Sequence, residues 1–237
     1  MEDIPARQRL SRERLLARLP VASQPGRSLY LLPGSAPPEE LEGHPFNPLI
    51  AGSDTGSAVF LRAADAMLVL PPFPVELAVT HEHIETNPLV ELLQRRRTIA
   101  AFLLRRGGYT MGVFRGDSLV DSKTDRRFVK NRHRKGGQSQ RRFDRIRDKQ
   151  IHELYGMACD DLRETLAQYK NEIQHLFLGG DRQALIAFRK QCDELDRSFG
   201  ARIMTRRLPV SSDPRRASLD PLPREIWSSD VYIVERA

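Results

Sequence analysis

Hydrophobic spacing divides the chain into alternating strand-like and helix-like stretches. Over residues 6–19, Leu10, Leu15, Leu16 and Leu19 recur among arginines and predict a short amphipathic helix that stops before Pro20. Ser28-Leu-Tyr-Leu-Leu-Pro33 predicts a strand, and the Pro-, Gly- and Glu-rich stretch from Pro33 to Pro48 a loop with one or two helical turns. Ala58-Val-Phe-Leu-Arg62 and Met67-Leu-Val-Leu70 are two apolar runs split by Ala63 to Asp65, the pattern of a hairpin. Pro71, Pro72 and Pro74 end that unit. Asn87-Pro88-Leu-Val-Glu-Leu-Leu93 then fits a helix with Asn87 as cap and Pro88 in its first turn.

The clearest β signal follows. Thr98-Ile-Ala-Ala-Phe-Leu-Leu104, Tyr109-Thr-Met-Gly-Val-Phe114 and Ser118-Leu-Val-Asp-Ser122 are separated by Gly107-Gly108 and Gly116-Asp117, which predicts a three-stranded antiparallel meander. Beyond it Phe143, Ile146, Ile151, Leu154, Met157, Leu162, Leu166, Tyr169 and Ile173 recur three to five apart, one apolar stripe on a long helix that begins arginine-rich. His175-Leu-Phe-Leu-Gly-Gly180 reads as a buried strand and turn. Asp181 caps a second helix, reaching about Phe199, with Leu185, Phe188, Cys192 and Leu195 turned inward. Gly200 to Thr205 reads as a closing strand, the Pro- and Ser-rich stretch 209–223 as a mobile loop, and Val231-Tyr-Ile-Val234 as an edge strand. Strands and helices alternating in this order predict an α/β fold with a mixed sheet flanked by helices. The divisions expected are 1–65 (a helix and strands packed on the main domain), 66–208 (the main domain) and 209–237 (loop and edge strand).

Charge adds what the pattern lacks. The 237 residues carry 38 Lys and Arg against 31 Asp and Glu, a net charge of +7. Between Lys123 and Gln150 stand twelve Lys or Arg and three Asp, so this one segment has an excess of nine positive charges and the rest of the chain is slightly acidic. Such concentration suits a polyanion, whose condensed counterions are released as its phosphates are neutralised. With 40% apolar residues, 29% charged ones and a mean hydropathy of −0.48, the chain reads as globular with no membrane partner. The arginines of Met1 to Pro20 leave no apolar block for a secretory signal. Cys159 and Cys192, outside any CxxC, read as two free thiols of a protein in a reducing cytoplasm.

Three short motifs have bland readings. Asp54-Thr-Gly56, a single aspartic-protease tripeptide, sits in a Gly/Ser stretch and reads as a turn. Gly116-Asp-Ser-Leu119 spells a serine-hydrolase opening, yet falls in a predicted hairpin turn without the late Asp-x-x-His that would activate its serine. His81-Glu-His83 lacks a third ligand nearby, so no metal site is expected. The fourth motif differs in kind. Lys130-Asn-Arg-His-Arg-Lys135 runs into Gly136-Gly137-Gln138-Ser139 and then Gln140-Arg-Arg-Phe-Asp-Arg145. Two adjacent glycines remove both Cβ atoms and let bare backbone approach a ligand. The neutral amide of Gln138 tips the loop, Ser139 reads as the cap of the long helix, and Lys130, Arg132, Arg134, Lys135, Arg141, Arg142 and Arg145 can grip phosphate.

This loop, with Arg142-Phe143 behind it, closely resembles the catalytic loop in the middle domain of eukaryotic and archaeal class-1 peptide chain release factors. The meander ending in Asp121-Ser122-Lys123 and the strand ending in Gly179-Gly180 resemble that domain as well, over roughly residues 66–208. The codon-recognition motif of those factors is missing from the 65 residues before, a layout similar to the Vms-like release-factor branch, which frees chains from peptidyl-tRNA on stalled large subunits. The resemblance implies an exposed Gly-Gly-Gln loop leading into a long basic helix. It implies ribosome-dependent hydrolysis of the peptidyl-tRNA ester in translation rescue, in the cytoplasm, by a monomer whose partners are the large ribosomal subunit, its rRNA and peptidyl-tRNA. Gln138 would position water and oxyanion, Gly136 and Gly137 would allow the backbone to fit, and Ser139 with the seven cations would bind RNA. Metal and organic cofactors are not called for. Two rivals accompany this reading: a non-catalytic rescue factor, like the surveillance relatives that lack the Gly-Gly-Gln tip, and a nuclease cutting the tRNA acceptor end.

Overall fold

The computed structural model describes residues 4–126 and 138–235; within 138–143 the side chain of Arg142 alone is described. In chain order the elements are β1 (Gln8–Leu10), α1 (Arg12–Leu16), β2 (Arg27–Leu31), α2 (Asn47–Ala51), β3 (Ser57–Leu61), β4 (Asp65–Leu70), β5 (Val79–His81) and α3 (Asn87–Gln94). They continue with β6 (Thr98–Arg105), β7 (Gly108–Arg115), β8 (Ser118–Arg126), α4 (Gln138–Tyr169), β9 (Ile173–Gly180), α5 (Arg182–Gln191), α6 (Asp193–Phe199), β10 (Ile203–Leu208), α7 (Leu222–Ile226) and β11 (Ser229–Glu235). The fold is α/β, with two sheets flanked by helices where the hydrophobic pattern predicts one.

The first compact unit comprises the residues up to 95 and those from 224 onward. Its sheet, in the order β1-β11-β4-β3-β2-β5, is antiparallel throughout. The predicted hairpin of β3 and β4 is present, with Val59 opposite Leu68. Leu29, Phe46, Val59 and Leu68 fill the core on one side of this sheet. Four expectations fail here, all but that for Asn87 because strand pairing overrides the local pattern. Gln8–Leu10 pairs with β11, so the predicted 6–19 helix is cut to the five residues of α1, capped by Ser11, whose hydroxyl accepts from the Arg14 N–H. Asn87 is the first residue of α3 rather than its cap; Thr86 precedes it. β11 is not an edge strand, since it lies between β1 and β4. Because β4 belongs to this sheet, the boundary between units falls at 95/96 and not at 65/66.

The second unit, residues 96–223, holds the mixed sheet in the order β10-β9-β6-β7-β8. The meander β6-β7-β8 is antiparallel and β6-β9-β10 is parallel. Gly116 takes φ 63° in the turn between β7 and β8. Gly180 closes β9 at φ 117°, where a Cβ would stand 1.9 Å from the Leu104 carbonyl oxygen, so this position accepts glycine alone. The long helix α4 packs Leu154, Tyr155, Ala158, Leu162 and Leu166 into a core shared with Phe102, Tyr109, Leu176 and Phe188. Phe102 and Phe188 stack at 4.9 Å, and Tyr155 meets Phe188 edge-on at 5.8 Å. Ile173, expected on the helical stripe, opens β9 instead. Asp181 caps α5 as predicted, accepting from the Ala184 N–H at 2.8 Å. The predicted helix 181–199 is broken at Cys192, whose backbone (φ −114°, ψ 67°) separates α5 from α6. Within 209–223 a single 3-10 turn, Arg216–Leu219, buries Leu219.

The cysteines require a correction. Cys159 of α4 and Cys192 at that helix break form a disulfide with Cα atoms 5.6 Å apart, where two free thiols were expected. Both are buried in the same core. The spacing in sequence hides the pairing because β9 and α5 must first be laid down to bring the two positions together.

Candidate functional site

The Gly-Gly-Gln segment joins β8 to α4. Gly136 and Gly137, with Lys130, Arg132, Arg134 and Lys135, lie outside the described residues; Gln138, Ser139 and Arg141 are described in backbone alone. Gln138 opens α4, so Ser139 stands inside the helix and not at its cap. Arg142 and Arg145 are exposed, and among the described residues neither has an acidic partner within ion-pair distance. Arg147, by contrast, lies 3.7 Å from Asp144 and 3.3 Å from Asp148, and Lys149 lies 4.0 Å from Glu153, so the next turns are internally neutralised. Among the described side chains of α4 the first buried one is Leu154. At the helical rise the sixteen steps from Gln138 to Leu154 make a rod of roughly 24 Å.

The first turn of α4 contains no acidic residue, and arginines follow at positions 141, 142 and 145. Positive charge at the positive end of the helix dipole is unfavourable, by about 0.3–1 kcal/mol per charge. An anion brought to this end relieves that repulsion, so the arrangement is suited to phosphate.

Where α4 crosses the meander, four polar side chains meet that the hydrophobic pattern did not single out. The Tyr109 hydroxyl of β7 donates to Asp161 Oδ2 of α4 at 2.5 Å. Lys123 of β8 contacts Asp161 Oδ1 at 3.1 Å and donates to Glu164 Oε2 at 2.6 Å. Asp161 and Glu164 stand one helical turn apart, a spacing legible in sequence only once β8 is known to run beneath them. Burial, and then the bond to Asp161, raise the Tyr109 pKa above its ordinary 10. Glu164 first and Asp161 second raise that of Lys123. A raised pKa gives stability that is complete below the unfolded value and is lost as pH climbs through the folded one, so both groups act above about pH 10. Tyr109→Phe is therefore expected to cost about 1 kcal/mol at pH 8 and to narrow the gap between the melting temperatures at pH 8 and pH 11, measured by circular dichroism. An undiminished gap would assign the alkaline loss to other groups.

Two of the lesser motifs fall at connections between elements. Gly116-Asp117 is the β7–β8 turn, with Ser118 and Leu119 opening β8, and Asp54-Thr-Gly56 lies in the connection from α2 to β3. The rings of His81 and His83 are 5.7 Å apart, and among the described residues no group of three His, Cys, Asp or Glu side chains could hold a metal ion.

Residues 97–232, more than half of the chain, match the family described as the Actinobacteria/chloroflexi VLRF1 release factor. The chain belongs to that family. The stretch matching the VLRF1 family includes Gly136-Gly137-Gln138 and both partners of the Tyr109–Asp161 bond. Among curated proteins, peptide chain release factor subunit 1 of Archaeoglobus fulgidus is 32% identical over 115 residues, 48% of this chain and 28% of that protein. The corresponding subunit of Methanopyrus kandleri is 30% identical over 117 residues, again 48% and 28%. This VLRF1 family member thus spans under a third of the length of these relatives. Solved structures with similarity include the archaeal translation termination factor aRF1 (14% identity, TM-score 0.37, 92% of this chain and 73% of that one) and Archaeoglobus fulgidus Pelota (12%, 0.35, 96% and 64%).

Proposed function

We propose that this chain hydrolyses the ester of peptidyl-tRNA on large ribosomal subunits in the cytoplasm, freeing stalled nascent chains through Gly136-Gly137-Gln138. Membership of a release-factor family supports a role in translation termination or rescue. The observation that carries the finer reading is the Gly-Gly-Gln sequence at the head of α4, a helix whose described side chains are none of them fully buried before Leu154 and whose first turns hold exposed arginines without an acidic partner among the described residues.

The bond to be cut joins the peptide to the terminal ribose of tRNA. Its hydrolysis requires an oriented water, a stabilised oxyanion and exclusion of bulk solvent. A glutamine amide does not take up a proton at neutral pH, so Gln138 orients the water, and its backbone N–H supplies a donor for developing negative charge. Gly136 and Gly137, lacking Cβ atoms, let the backbone enter a confined site. Lys130, Arg132, Arg134, Lys135, Ser139, Arg141, Arg142 and Arg145 hold RNA around it. Ribosomal RNA and the tRNA ribose complete the active site, so the free protein is a poor esterase and acts as a monomer.

The test is single-turnover release from purified large subunits carrying peptidyl-tRNA, wild type beside Gln138→Ala. The arginines have their own signature. The double change Arg142→Ala, Arg145→Ala is expected to weaken subunit binding and to flatten the plot of log K against log salt by about 1–2, since each phosphate contact contributes somewhat less than one unit of slope. An unchanged slope would return both arginines to a solvated helix face.

A further inference from the structure

We propose that Asp161 is a positioning residue: by accepting from Tyr109 and Lys123 together it fixes the angle of α4 over the meander, and with it the point at which Gln138 is presented. This rests on the release reading of Gln138 for its consequence, though not for its geometry. The apolar contacts of α4 through Leu154, Tyr155, Ala158, Leu162 and Leu166 hold the helix down on the sheet. Such contacts are non-directional, and the Cys159–Cys192 disulfide ties α4 to the α5–α6 break rather than to the meander. The two bonds to Asp161 are directional. They approach different oxygens of one carboxylate, from β7 at 2.5 Å and from β8 at 3.1 Å. Tyr109 itself is fully buried, so its hydroxyl is a fixed post. β8 is anchored to β7 beside it by the Thr110–Thr124 hydroxyl contact at 2.5 Å.

The geometry amplifies any slack. Gln138 is 23 residues from Asp161, roughly 35 Å along the helix. A tilt of about 2° at the network therefore displaces the head of the helix by about 1 Å, and a misplacement of that size in a catalytic group can slow a reaction on the order of 10²-fold. Lys123 stands three residues before the end of β8, and Tyr109 lies opposite Asp125 of the same strand, so the carboxylate ties α4 to the strand that leads toward the connection.

Two measurements test this. Spin labels at Val120 of β8 and Lys149 of α4, both exposed, report the angle without a ribosome. Asp161→Ala is expected to shift or broaden their distance distribution, and Asp161→Asn, which can still accept from Tyr109, to do so less. In single-turnover release, Asp161→Ala should lower the maximal rate at least tenfold, leave the half-saturating concentration within twofold, and be partly rescued by Asn. Ile173→Val, a core change of β9, serves as the stability control and should keep the wild-type rate. An unchanged distance distribution overturns the proposal whatever happens on the ribosome. So does a rate loss in Ile173→Val equal to that in Asp161→Ala at matched melting temperature. A shifted distribution with a wild type inactive on peptidyl-tRNA would keep the positioning role and sink the release reading of Gln138.

Discussion

Gln138→Ala is expected to slow release from peptidyl-tRNA on large subunits by about 10–10²-fold, the order of loss that follows when a reacting group, here the water oriented by the side-chain amide, is misplaced. Subunit binding should be unaffected, because the cations that grip RNA are untouched. The alanine retains a backbone N–H, so the size of the effect divides the roles. A drop near the upper figure assigns the work to the side-chain amide and its water, whereas a drop of a few-fold leaves the backbone donor in charge. Release at the wild-type rate removes Gln138 from the chemistry altogether. The same reactions separate ester hydrolysis from strand cleavage, since hydrolysis leaves an intact CCA terminus on the tRNA and a nuclease shortens it.

The second unit was legible in the sequence to an unusual degree because its signals are local. Arg106-Gly107, one residue before the predicted Gly107-Gly108, and Gly116-Asp117 turn the meander, and Asp181 caps α5, each through contacts a few residues apart. Where the partner is distant, the local pattern misled. Gln8–Leu10 carries an amphipathic spacing that suits a helix, yet β11, more than two hundred residues on, recruits it as a strand. Cys192 fits the apolar stripe of one continuous helix, while its cross-link to Cys159 coincides with a break in that helix. At the candidate site the motif was readable letter by letter. The carboxylate that ties α4 to β7 and β8 was not, because an aspartate on a charged helix looks like solvated surface until the strands beneath it are known.

Reduction of the Cys159–Cys192 disulfide is expected to lower the melting temperature of the second unit by about 10–15 °C. The two cysteines are 33 residues apart. Closing a loop of that length removes unfolded-chain entropy worth roughly 3.7 kcal/mol at 25 °C. For a unit of about 130 residues, near the middle of the small-domain range, each kcal/mol moves the midpoint by about 4 °C. Reduction leaves the native packing much as it was, for both thiols stay in the core beside Leu162, Leu195 and Phe188 and a buried thiol behaves as a small hydrophobe. The loss therefore comes from the unfolded side, and calorimetry should show it as an earlier transition in dithiol for the second unit only, since residues up to 95 and from 224 onward contain no cysteine. The double variant Cys159→Ala, Cys192→Ala should melt low with or without dithiol. A wild-type midpoint indifferent to dithiol, in protein whose thiols titrate as free, would mean that no cross-link joins α4 to the α5–α6 break. The same arithmetic makes the oxidised and reduced forms two proteins of different stability carrying one Gly-Gly-Gln sequence.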